Sequence, residues 1–214
     1  MKSLLYKEFK LAMHPLIYVF IFLFPLMALI PTYPIVISFI YVCTCYPILF
    51  LGANKGQQSN DIYFSCLLPI RRKDIVKARL ILLSIIQLVS IILVVICAYI
   101  SSLYKDTILV EEGAKISDIG FVLLSYTIYD LIYVTCFYKN GRAIVTPTLL
   151  GIIGFIIILF TTTLFLPMLF DSYYYFFSNI YVQILTVILG VIIYFLIHYL
   201  TYIKASKLFE KVDF

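Results

Sequence analysis

Six apolar runs divide the chain, at 16–30, 35–52, 80–100, 119–138, 143–170 and 180–203. A helix needs about 17–25 apolar residues to cross the hydrocarbon core of a bilayer, so each run predicts a membrane span. Asp130 is the only Asp, Glu, Lys or Arg inside any of them. The first run is short and must borrow from the segment before it, tilt, or sit where the bilayer thins. None alternates polar and apolar residues, which excludes β-barrel strands. Ahead of the first run, Ser3, Lys7, Lys10 and His14 share one helical face while Leu5, Phe9, Ala12 and Met13 line another. That pattern predicts an amphipathic interfacial helix over 1–14, with its lysines toward anionic lipid headgroups. Pro15 then marks a bend into the first span.

Composition removes the alternatives. Of 214 residues 64% are apolar and 13% charged, and the mean hydropathy is +1.07. Soluble proteins carry about 25% charged residues, and a soluble globule of this size has no interior large enough for so much apolar surface. The fold class is an all-α polytopic membrane protein with six transmembrane helices, in a single domain over 1–214. The net charge of +5 is placed beside the spans, so it reports topology and not a nucleic-acid partner.

Fourteen of the sixteen Lys and Arg fall on one side: the N-terminal segment, the 53–79 loop, the 139–142 turn and the tail after 203. The connection at 101–118 holds only Lys105 and Lys115, beside Asp106, Glu111, Glu112 and Asp118. The positive-inside rule therefore places both termini in the cytoplasm. The early lysines imitate a signal peptide, but no small-residue cleavage site follows, and the first span is expected to be retained. From 143 to 203 there are 61 residues for two crossings. Two spans of about 20 residues leave a surplus near 161–179 on the outer side. Irregular backbone at membrane depth must satisfy itself, so a helical re-entrant pair fits there. The alternative is an interfacial belt of Tyr173, Tyr174 and Tyr175.

Candidate chemistry is sparse. Asp130 sits mid-span, with Tyr126 and Tyr133 on the same helical face. It reads either as a polar point or gate in a substrate path, or as a packing contact satisfied by those tyrosines. Gln87, Gln183 and Asn179 are candidates for cross-helix hydrogen bonds, and His198 reads as a snorkelling or hydrogen-bonded group near the inner interface. Cys43, Cys45, Cys97 and Cys136 fall inside spans and Cys66 in the cytoplasmic loop, so packing is the simplest role and no disulfide framework follows. With two histidines, no zinc site assembles. No G-x-x-x-x-G-K-[ST], H-E-x-x-H or G-x-S-x-G is present, so no catalytic or ATP-binding role is expected of this chain.

The 27-residue loop at 53–79 begins with polar GANKGQQSND, offers Asn60 or Asp61 as cap to a helix over 62–68, and continues as LLPIRRKDIVKARL. Apolar side chains ringed by charge mark a protein-contact surface; a cluster that only enforces topology is the alternative. MKSLLYKEFKLAMHP and LLPIRRKDIVKAR resemble the type-2 ATP-binding-cassette exporter permeases, specifically the small six-span bacterial group. The matching elements are Lys7-Glu8-Phe9, with Lys10 on the same helix, and Leu68-Pro69-Ile70-Arg71-Arg72-Lys73-Asp74-Ile75-Val76-Lys77-Ala78-Arg79, of which Leu68 to Asp74 are the expected ATPase contacts. The resemblance implies a bacterial plasma-membrane permease and a separate ATPase subunit, carrying ATP and Mg, that docks on the 53–79 loop. It implies too a second permease chain, identical or a sister, to complete the pathway, and short re-entrant outer helices at 161–179. An apolar, aromatic pathway suits a hydrophobic or amphipathic substrate, with peptide favoured by the family. An importer's substrate-binding membrane subunit is the rival reading, and a membrane enzyme a more remote one.

Overall fold

The computed structural model describes residues 2–12, 15–26, 37, 40–41, 45, 70–103, 116–140, 145–169, 173–177 and 179–211. The second predicted span, apart from four residues, and the loop up to Pro69 lie outside them, as do Leu68 and the proposed 62–68 helix. His14, Cys43, Cys66 and Asp171 are likewise outside.

Helix α1, Lys2–Lys7, widens into a π-helical turn at Glu8–Ala12, and α2, Pro15–Leu26, follows. Three long helices come next: α3 over Arg72–Leu103, α4 over Ile116–Asn140, and, at the end of the chain, α8 over Ile180–Glu210. All three are long and apolar enough to cross a membrane; α2 and α5, Val145–Phe160, are shorter apolar helices. At about 1.5 Å rise per residue, the 32 residues of α3 and the 31 of α8 outreach a hydrocarbon core about 30 Å thick. The third span therefore begins eight residues before the apolar run and the sixth ends seven after it.

Helix α3 starts where expected. Arg71 precedes its first turn, accepting from the Asp74 amide at 2.9 Å, and Asp74 brings a negative charge to the positive end of the helix dipole. The segment at 161–179, where a re-entrant pair is expected, is mostly helical in its described residues. Helix α5 runs without a break through a π-helical turn at Thr161–Phe165 into α6, Leu166–Leu169, and only then comes the single turn α7, Tyr173–Phe176. At the π-helical turn Thr161 and Thr162 donate their hydroxyls to the carbonyls of Ile157 and Ile158 at 2.7 and 2.9 Å.

Helix α4 is central, packed on α8 and α5, while α3 packs on α8 and α2. Glycine sets the closest approach. A Cβ on Gly120 would lie 2.6 Å from the Thr186 carbonyl oxygen, and one on Gly190 would lie 2.9 Å from the Gly120 carbonyl oxygen. Small residues let backbones touch where lipid gives no hydrophobic drive between helices. Further along, α4 carries a buried aromatic ladder: Tyr129 stacks on Tyr133 at 5.6 Å and Tyr133 on Phe137 at 6.4 Å. Ile37, Tyr41 and Cys45 of the second run are helical, buried and four apart, and Tyr41 donates to the Ile86 carbonyl of α3. The outward face is as apolar as the inside. On α8, Leu185, Ile188, Ile192, Phe195, Leu196 and Tyr199 are all exposed, which is the arrangement a lipid solvent permits.

Candidate functional site

Two polar assemblies interrupt this apolar frame. The first joins the basic ends of the helices. The last carbonyls of any helix lack partners within it and carry the negative end of its dipole. At α8 they are met from outside: Arg72 Nη1 donates to the carbonyls of Phe209 and Glu210, at 3.1 and 3.2 Å. The guanidinium also lies 5.8 Å from the centre of the Phe209 ring, and that ring packs edge-on against Tyr138 of α4 at 4.9 Å. Arg72 thus draws the start of α3 to the ends of α8 and α4. Beside it Lys73 pairs with Glu210 at 3.4 Å, a surface contact worth roughly 0–1 kcal/mol.

About two turns further along α3, Arg79 aims Nε and Nη2 at the same Glu8 oxygen, each at 3.1 Å. Their side chains are only 2% and 1% exposed, and the Lys7 ammonium stands 3.9 Å from the other oxygen. Two charges out of water persist only when paired. Leu4, one turn before Glu8, is buried with it. This changes the predicted polarity of the N-terminal helix. Lys10 and Ser3 are exposed as expected, and Leu5 and Phe9 are half-buried. The face pressed against α3, however, is formed by Leu4 and the charged Glu8.

The second assembly lies within the spans. Gln87 of α3 donates Nε2 to Asp130 Oδ2 of α4 at 2.9 Å, and Tyr194 of α8 donates its hydroxyl to Gln87 Oε1 at 2.6 Å. His198 of α8 stacks on Tyr194 at 4.4 Å and brings Nε2 to 3.3 Å from the same Asp130 oxygen. Gln87 and Asp130 are wholly buried. The contacts at Asp130 therefore include groups from two other helices, beyond the tyrosines of its own helix that the sequence offered. Tyr126 and Tyr133 are fully buried too, and Tyr133 belongs to the aromatic ladder. His198 is not a snorkelling group: its side chain is 12% exposed and turned to Asp130. The hydrogen-bond chain ties three long helices together.

A profile of the ABC-2 family transporter proteins matches residues 3–210. The chain belongs to the ABC-2 transporter family. It is the membrane permease component of an ABC-2 type transporter, a non-catalytic transmembrane subunit, and ABC-2 permeases generally pair with an ABC ATPase. No curated protein and no solved structure is significantly similar to it.

Within this ABC-2 permease the structure gathers only part of the residues singled out from sequence. Arg72, Lys73 and Phe209 meet, as do Glu8 and Arg79, while Ile70 is half-buried and Arg71 exposed beside them. Pro69 is outside the described residues. Tyr173 and Tyr174 lie in the backbone of α7. Gln183 makes its cross-element contacts, accepting from the Ile116 amide at 3.2 Å and donating to the Phe177 carbonyl at 2.8 Å. Asn179 instead caps α8, accepting from the Tyr181 amide at 3.0 Å. Sequence reasoning placed Arg79 in the basic loop without its partner Glu8, and passed over Tyr194. The available signal for the first was Glu8, the one acidic residue in a basic segment. For the second it was a tyrosine one turn before the only intramembrane histidine.

Proposed function

We propose that this chain is the permease subunit of an ATP-driven exporter that carries a hydrophobic or amphipathic substrate, peptide above all, out of the cell. A separate ATPase, holding ATP and Mg, docks on the 53–79 loop and its exit, with Arg71 and Lys73 among the contacts. Two permease chains, identical or sisters, enclose the path, and both termini face the cytoplasm of a bacterial cell. One observation carries the reading: the buried Glu8–Arg79 pair fastens the N-terminal segment to the helix that leaves the basic loop. A push on that loop moves both, and Arg72 passes it to α8. A ligand-driven shift needs the partner to prefer one arrangement, and a rigid joint at the point of contact is how such a preference reaches the spans. The proposed path passes beside Asp130, Tyr126 and Tyr133, because all three are buried.

The test is co-purification with the ATPase. Arg71→Glu changes an exposed side chain and leaves the Arg72 contacts in place. The partner recovered per permease should fall about tenfold while membrane insertion holds. Recovery at the wild-type ratio would overturn the docking site. Direction is read separately, from ATP-dependent accumulation of a labelled amphipathic peptide in inside-out vesicles; accumulation only in right-side-out vesicles would favour the importer.

A further inference from the structure

The start of α3 and the end of α8 form one surface, although Arg72 and Glu210 are 138 positions apart. Arg72 holds them together through two carbonyls, and the Lys73–Glu210 pair bridges them with side chains 55% and 46% exposed. Around that bridge Arg71, Lys207 and Lys211 are exposed. Lys207 lies one turn before Glu210 and Lys211, so α8 adds its own basic group to the face begun by α3. Among the described residues, these four cations face two carboxylates, the exposed Glu210 and the half-buried Asp74.

We propose that the ATPase grips both helices: its docking ledge is a composite of the loop exit at Arg71–Lys73 and the final turn of α8, and the partner's matching face is acidic. The inference rests on the docking proposed above and adds a second contact to it. The charge decides the occupant, since an excess of exposed cations is matched by a partner of opposite sign and steers its approach. The clamp gives the contact its use. Because Arg72 is bonded to the end of α8, a partner seated on both helices moves them as one body. Helix α8 also carries Tyr194 and His198 to Gln87 and Asp130, so displacement at the ledge bears directly on the buried polar chain.

The experiment uses the full permease co-expressed with its ATPase, comparing Lys207→Glu/Lys211→Glu with Arg71→Glu. The composite ledge predicts that the α8 double variant lowers recovered ATPase at least fivefold, and that Lys207→Arg/Lys211→Arg restores it. If the α8 variant keeps the wild-type ratio while Arg71→Glu loses the partner, the ledge is confined to the loop and this inference is overturned, with the docking proposal intact. If both keep it, docking on this face fails altogether. Should the double variant not insert, a photo-crosslinking residue at Lys211 decides: a product with the ATPase supports the inference, and a product with lipid alone, or none, overturns it.

Discussion

Arg79 and Glu8 show how much a single side chain carries here. Removing one partner of a buried ion pair costs about 3–5 kcal/mol, whereas replacing both by apolar groups is often neutral. Arg79→Ala is therefore expected to lower thermal stability in detergent sharply, and Glu8→Leu/Arg79→Met to recover most of the loss; equal loss in both variants would deny the pairing. The polar chain in the spans behaves alike. Gln87→Leu removes the hydrogen bonds to Asp130 Oδ2 and from the Tyr194 hydroxyl, at about 1–3 kcal/mol for each bond lost in a buried site. Asp130→Asn keeps an acceptor for Gln87 and removes only charge, so its midpoint in a thermal melt should stay above that of Gln87→Leu. Asp130 was legible as a lone ionisable residue in an apolar run. Its partners were not, because Gln87 is 43 positions away and periodicity within one helix says nothing about its neighbours.

At the level of elements, the helices are read off their apolar runs and their joints are not. The runs located α2, α3, α4, α5 and α8, since a span that meets lipid on most of its surface must be apolar nearly throughout. The same uniformity hides which face meets protein. On α8 the packed positions include Gly190 and Tyr194, set among apolar residues that sequence alone cannot tell from lipid-facing ones. The Gly120–Gly190 contact supplies a test of the α4–α8 joint. Gly190→Ala pushes a methyl group against backbone, and overpacking of this kind costs about 1–3 kcal/mol. A measurably lower unfolding midpoint is expected; an unchanged one would mean that the helices part more readily than their approach implies. The turn at Thr161–Phe165 was outside the reach of any run-length argument, which counts surplus residues without seeing the backbone they adopt.

For the molecule as a whole, the charge asymmetry predicts sidedness. Cysteine placed at Lys211 in a cysteine-free background is expected to react with an impermeant maleimide only after the cell is opened. Labelling of intact cells would reverse the orientation and with it the face offered to an ATPase. The basic ends of α3 and α8, joined by Arg72, make that face a single object in space, and the family places a nucleotide-driven partner within the chemistry expected of it.

Composition and run length by themselves determined the class of this protein, because burying 64% apolar residues has no solution in water. Two short basic motifs pointed to the permease family, which the match over 3–210 then showed. Only the tertiary structure decided which charges are spent internally: Arg72 on the end of α8, Arg79 on Glu8, Gln87 on Asp130. Charges next to a membrane look alike in sequence, since topology alone demands them. Burial separates them, because a charge withdrawn from water must find its partner in space, wherever along the chain that partner lies.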